Sequence, residues 1–279
     1  MPPPHPRPPA RGQWPGLFIA FEGGDGSGKS VQARALYQRL RRLGLKTRLV
    51  AEPGGTALGE LLRTLVTSQG PLRFVPGGPL PGAVWPLADS LLLPPVPEAE
   101  LFLFAASRAQ LVAEVIRPSL SRGEIVICDR YAPSTLAYQG YGRGLSKALV
   151  RRVNRLATQG VWPDVIFLLD APVALSASRR RRRAAAPDRI EGEGAAFHRR
   201  VRRGYLAMAS QDPQGWLVLA GQRPRAEIAE EVWGRVAQLL RERSPHLAAI
   251  LRGESRRRGV RGPASNRPGA RSPAPKLAL

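Results

Sequence analysis

The sequence predicts a doubly wound α/β domain on a five-stranded parallel sheet, flanked by helices, and three observations carry that prediction. Five short runs are largely apolar: Leu17 to Glu22, Thr47 to Glu52, Glu124 to Asp129, Val165 to Asp170 and Trp216 to Ala220. Runs without polar alternation suit strands covered on both faces, as in a parallel sheet. Helical stretches separate them, which is the alternation of βαβ units. Four of the runs finish on a carboxylate (Glu22, Glu52, Asp129, Asp170), at the sheet edge where such folds bind ligands. Together these carboxylates make a polar floor that tolerates metal.

In chain order, residues 1–16 are rich in Pro and Arg without hydrophobic periodicity and read as a disordered tail. The first strand opens at Leu17. Behind it Val31, Ala35, Leu36, Leu40 and Leu43 form an apolar stripe at helical spacing. Gly70 to Pro97 fits this scheme poorly: eight prolines and four glycines crowd a stretch between two helical segments, where long structureless loops are uncommon. Leu101 to Leu120 and Ile228 to Leu240 are amphipathic again, and residues 177–203, heavily basic, suit a lid. Residues 253–279 read as a second disordered tail, which leaves 17–252 as the domain.

The formal charge of +22 suggests a nucleic-acid or anionic-membrane partner until it is located. Much of it falls in the tails and in the Arg179 to Arg203 stretch, so the body is ordinary. All basic residues but Lys29, Lys46, Lys147 and Lys276 are arginine. In a chain rich in Ala, Gly and Pro, that pattern fits coding bias. Nucleic acid is therefore expected to meet the tails non-specifically at most. The single cysteine, Cys128, excludes an intramolecular disulfide and reads as a small buried hydrophobe on a strand. No apolar run is long enough to span a bilayer and no signal-peptide core precedes Leu17, so a cytoplasmic protein is expected.

Gly23-Gly24-Asp25-Gly26-Ser27-Gly28-Lys29-Ser30 matches the phosphate-binding loop G-x-x-x-x-G-K-[ST] and sits between a strand and an amphipathic helix, as the motif requires. Glycines let the backbone N–H groups face the phosphates, and the helix aims its positive end there. Lys29 would reach the β- and γ-phosphates, and Ser30 would offer a hydroxyl to Mg²⁺. An ATPase needs a carboxylate to orient water, commonly a Glu after the Asp that ends a strand. Here Asp129 is followed by Arg130 and Asp170 by Ala171. A cation beside Asp129 favours holding an anionic acceptor in line, so transfer is expected rather than hydrolysis. The arginines Arg179 to Arg183, with Arg189, would close over ATP.

Beyond the loop, the motifs Phe21-Glu22-Gly23, Glu52-Pro53-Gly54-Gly55-Thr56, Leu103 to Gln110, Asp129-Arg130-Tyr131, Ser134 to Gly140 and Asp188-Arg189-Ile190-Glu191 occur in an order and spacing that resembles the thymidylate kinases, from about Leu17 to about Arg243. The resemblance implies the P-loop nucleoside-monophosphate kinase fold with a lid, a homodimer, Mg²⁺-ATP as donor and dTMP as acceptor. It implies that Phe104 stacks on thymine, that Arg108 and Gln139 bond its edge, and that Ser134, Thr135 and Tyr138 line the site, with Tyr138 crowding out a 2′-hydroxyl. Glu52 belongs to the same substrate set. Asp25 would reach the 3′-hydroxyl or the metal, Asp129 would join Ser30 at the metal, and Arg130 with Arg63 would hold the acceptor phosphate. Some relatives carry a basic residue within the P-loop where this chain has Gly26, so the catalytic charge is expected from the lid, with Arg189 first. Lys29, Arg130, Arg189 and Asp25 are thus the expected catalytic set. Two rivals stay open. One is a kinase of the same fold acting on another nucleoside monophosphate or on a deoxynucleoside, with Glu52 as base. The other is a nucleic-acid-binding P-loop NTPase.

Overall fold

The computed structural model of the protein describes residues 12–68, 94–182, 187–243 and 251. Most of both expected tails, residues 69–93 of the Pro-rich segment and residues 183–186 of the basic stretch lie outside the described residues. Strands β1 (Leu17–Glu22), β2 (Thr47–Ala51), β3 (Ile125–Asp129), β4 (Val165–Asp170) and β5 (Trp216–Ala220) form one sheet, ordered β2-β3-β1-β4-β5. Every pairing is parallel. β1 is central and every one of its residues is buried, which accounts for its unbroken apolar run.

The helices are α1 (Lys29–Arg42), α2 (Ala57–Thr67), α3 (Pro97–Leu111), α4 (Arg117–Ser121), α5 (Ala132–Thr135), α6 (Lys147–Thr158), α7 (Val173–Arg181), α8 (Ala195–Gln211) and α9 (Arg225–Arg243). The amphipathic stretch expected over Leu101 to Leu120 begins earlier, because Pro97 takes the first helical position. It also passes through a π-helical turn, Val112–Ile116, before α4. A second π-helical segment, Leu136–Gly142, continues α5. Two expected strands are each one residue too long. Glu124 precedes β3, while Glu52 donates its N–H to the Asp129 carbonyl (3.0 Å) and then leaves the sheet.

Chain contacts divide the protein into two units, Met1–Gly234 and Arg235–Leu279. In the second, α9 runs on to Arg243 with Val236 and Leu240 buried. The core of the first is built from β1, β3 and β4 with α3 and α8, including Phe18, Val126, Ile166, Leu111 and Tyr205. Cys128 is buried there as expected, its Sγ against the Arg130 carbonyl, and burial pushes the thiol well up. Among the described residues no helix is long and apolar enough to cross a membrane.

Candidate active site

The strand order reverses around β1, so the loops that leave β1 and β3 emerge side by side, the place where open parallel sheets hold ligands. The register pairs Phe21 with Asp129, and Arg130 donates its N–H to the Phe21 carbonyl (2.9 Å). The P-loop therefore starts against the Asp129-Arg130 pair. Gly28, at φ 104°, caps α1 in the left-handed region without a side-chain bond, and the first turn of α1 carries no acidic residue. The Lys29 and Ser30 N–H groups, which no side chain caps, can meet an anion, while Val31 N–H bonds the Gly28 carbonyl (3.1 Å). Gly26 is needed for a second reason, since a Cβ there would lie 2.5 Å from the Ser176 carbonyl of α7.

Arg130 sits at φ 75°, a strained value for a residue with a side chain. Its guanidinium explains what holds it. Nη1 donates to the Gly23 carbonyl (3.1 Å), Ser134 Oγ (3.2 Å) and Tyr205 OH (3.2 Å), and Nη2 to Tyr138 OH (3.1 Å) and Asp25 Oδ1. Tyr138 OH donates to the other Asp25 oxygen at 2.6 Å. Burial works against ionisation of Asp25, but Arg130, then Lys29 and the Tyr138 hydroxyl, outweigh it and hold the carboxyl well below its usual range. Burial and Arg130 together depress the Lys29 ammonium, against the pull of Asp25 and Asp129. Beneath them Glu22, fully buried, accepts from Tyr131 N–H (2.8 Å), Ser134 Oγ (2.6 Å) and Tyr205 OH (3.0 Å), and burial raises its pKa.

A second cluster lies across one open cavity of ≈ 80 Å³ lined by Asp25, Glu52, Phe104, Arg108, Arg130, Ser134, Thr135, Tyr138 and Gln139, among others. Arg108 is 1% exposed and already engaged: Nε donates to Glu52 Oε2 (2.8 Å), Nη1 to Asn154 Oδ1 (2.7 Å) and Nη2 to Thr135 Oγ1 (2.8 Å). Burial pushes the Glu52 carboxyl up to about 7, with Arg108 opposing. Gln139 Nε2 donates to Glu100 Oε1 at 2.7 Å. The cavity thus joins the P-loop side to an aromatic face and two polar groups.

Oxygen donors suited to a hard cation are present. Ser30 follows Lys29 at the start of α1. Asp129 Oδ1 is buried with no hydrogen-bond partner among the described residues. No group of three or more His, Cys, Asp or Glu residues among those described could hold a metal without help. This donor set fits Mg²⁺ carried by nucleotide phosphates rather than by a protein cage.

Two expected residues stand elsewhere. Arg63 is exposed on α2, its Nη1 3.4 Å from the Pro53 carbonyl, at the rim of the cavity rather than in its lining. Arg189 does not face the P-loop. Its guanidinium donates to the Val66 carbonyl (3.0 Å) and to Glu100, because the turn capped by Asp188 lays it along the end of α2. Two other arginines of that stretch do reach the loop: Arg180 Nη1 donates to the Asp25 carbonyl at 2.7 Å, and Arg179 Nη1 to the Ser27 carbonyl at 3.4 Å and the Gly221 carbonyl at 3.0 Å. Sequence reasoning missed Glu100, Asn154 and Tyr205. Only Glu100 left a signal: Glu100, Phe104 and Arg108 follow at intervals of four on α3 and share a side of the helix.

A sequence model described as thymidylate kinase matches residues 21–74 and 88–232. The unmatched stretch between falls inside the Pro-rich segment. The thymidylate kinase of Thermomicrobium roseum is 44% identical over 230 residues, covering 82% of this chain and 99% of that protein. That of Deinococcus radiodurans is 44% identical over 223 residues, covering 80% and 97%. The crystal structure of thymidylate kinase from Ehrlichia chaffeensis superposes with a TM-score of 0.56 at 29% identity, covering 79% of this chain and 98% of that one. With the family matched over well more than half the chain, and relatives matched along nearly their whole length, the chain belongs to the thymidylate kinase family.

Proposed function

We propose that the protein transfers the γ-phosphoryl group of ATP to dTMP, giving dTDP and ADP. The observation that carries the reading is the single cavity that runs from Asp25 and Arg130, beside the P-loop, to Phe104, Arg108 and Gln139. Phosphate held at one end and a flat base at the other is the shape of a nucleoside monophosphate. The P-loop amides and Lys29 would grip the donor, and Arg130, with Arg63 at the rim, would hold the acceptor phosphate in line. An ionised phosphate oxygen is already a nucleophile, so positioning and charge neutralisation supply the catalysis. That is why Glu52, bound to Arg108 rather than to Arg130, is not required as a base. Mg²⁺, held through Ser30 and Asp129, would neutralise charge between the β- and γ-phosphates.

Phe104 would stack on thymine, Arg108 and Gln139 would bond its edge, and Thr135 and Tyr138 would line the sugar side. Assayed with ATP and Mg²⁺ across dTMP, dUMP, UMP, AMP and thymidine, the enzyme should give its highest kcat/KM with dTMP. A preference for thymidine would overturn the proposal. The lid charge is tested by comparing two variants. Arg180→Ala should lower kcat by about 10²-fold, the scale of losing one preorganised donor to a transferring group, with KM for dTMP little changed. Arg189 can serve the phosphates only after leaving Val66 and Glu100, so a larger kcat loss in Arg189→Ala would move the catalytic charge there.

A homodimer belongs to the same proposal. Leu156 on α6 is 80% exposed, with Leu149 on the same helix and Phe102 on α3 also exposed, and α3 packs on α6. Leu156→Glu should shift the sedimentation coefficient towards that of a monomer.

A further inference from the structure

Glu100 is buried to 1% side-chain exposure on α3 and lies outside the cavity lining, yet it bonds Gln139, which lines the cavity, together with Arg143 and Arg189. Oε1 accepts from Gln139 Nε2 (2.7 Å) and Arg143 Nε (3.2 Å), and Oε2 accepts from Arg143 Nη2 (3.2 Å) and from Arg189. Burial opposes its ionisation, but Arg143, Gln139 and Arg189 outweigh that and hold the carboxyl below its usual range. It is therefore a carboxylate at neutral pH, and a carboxylate only accepts.

The consequence falls on Gln139. A carboxamide has a donating end and an accepting end, and nothing in its shape decides which faces a ligand. Beside an obligate acceptor the NH₂ must turn towards Glu100, which leaves Oε1 for the cavity. Arg108, which lines the same cavity, can only donate. Between them these two residues offer the cavity one donor and one acceptor, each of fixed sense. Thymine presents the complement, the O4 acceptor beside the N3–H donor. Cytosine presents the reverse, an amino donor beside a bare N3 acceptor.

We infer that Glu100 is a specificity-determining positioning residue: by fixing the Gln139 carboxamide it makes the enzyme select pyrimidine monophosphates whose N3 carries hydrogen and reject aminopyrimidines. The inference rests on the base-reading role of Gln139 proposed above. It gives Glu100 no contact with substrate.

The test compares kcat/KM for dTMP with that for 5-methyl-dCMP, which keeps the methyl, sugar and phosphate and inverts only the edge. In Glu100→Gln the neighbour can donate as well as accept, so the 139 carboxamide can face either way. The dTMP preference should fall by about tenfold or more, because a mispaired buried polar group is what enforces such discrimination. A purely structural role would lower both substrates together and leave the ratio unchanged, which overturns the inference. Glu100→Asp, which keeps the charge near Arg143 and Arg189 but withdraws it from Gln139, should show the same fall and serves if Glu100→Gln does not fold. Gln139→Leu separates the two levels. If it keeps the parent ratio, the base-reading role itself fails. If it loses the ratio while both Glu100 variants keep theirs, only the role of Glu100 is overturned.

Discussion

Glu52 and Arg108 form a buried pair in which Thr135 and Asn154 also hold the guanidinium while Glu52 Oε1 has no hydrogen-bond partner among the described residues, and neither carboxylate nor guanidinium can be removed without stranding the other. Glu52→Leu should destabilise the fold by about 3 kcal/mol or more in denaturant melts, since it leaves an uncompensated buried cation. The pair also sets a pH dependence. A carboxyl whose pKa is raised from 4.5 to about 7 on folding contributes stability that is full below the unfolded value and is lost as pH rises through the folded one. Melting temperature should therefore decline between about pH 4.5 and 7 from this group, and Glu52→Gln should flatten that decline. The residue types Glu52, Arg108 and Thr135 were legible from motifs. Their mutual bonding was not, because Asn154 is one polar residue in an arginine-rich helix and nothing in its spacing marks it. Tyr205 was hidden for the same reason, within a basic stretch whose charge drew attention away from its aromatic ring.

The strands were legible almost to the residue, because a sheet buried on both faces writes its burial as uninterrupted apolar runs. The π-helical segments were not, since a single extra residue in a turn leaves no periodic trace. That matters at Leu136–Gly142, which carries Tyr138 and Gln139 into the cavity and packs against α8. The fit depends on two glycines. A Cβ on Gly204 of α8 would lie 2.7 Å from the Tyr141 ring, and one on Gly142 would lie 2.6 Å from Phe197. Gly204→Ala favours an isolated helix by about 1 kcal/mol, yet overpacking here costs about 1–3 kcal/mol, so the net effect should be destabilising. The neighbouring Tyr205 moves with it, so kcat should fall as Arg130 loses its support. A variant of unchanged stability and rate would show that this contact yields easily.

For the chain taken together, charge is the property the sequence displays most openly and the one least tied to the site. Cutting the protein back to residues 11–252 keeps Gly12, whose N–H meets Asp164 Oδ1 at 2.9 Å, and keeps buried Leu251. It removes +7 of the +22 excess. Kinase activity should survive the cut, while retention on DNA- or RNA-bearing resin should fall; loss of all activity would mean that the tails take part in the reaction. A strongly cationic enzyme whose site depends on a buried arginine should attract every small anion in its surroundings. The Arg130–Asp25 contact changes that expectation. In the proposed acceptor role of Arg130, an incoming phosphate would not fill a bare positive hole but would displace a carboxylate that is already bonded from two sides. Sulfate, chloride or free phosphate gains little by that exchange, whereas a nucleotide brings base and sugar contacts to offset it. On that proposal the site is in effect self-buffered, and it should answer to whole substrates better than to their charged fragments.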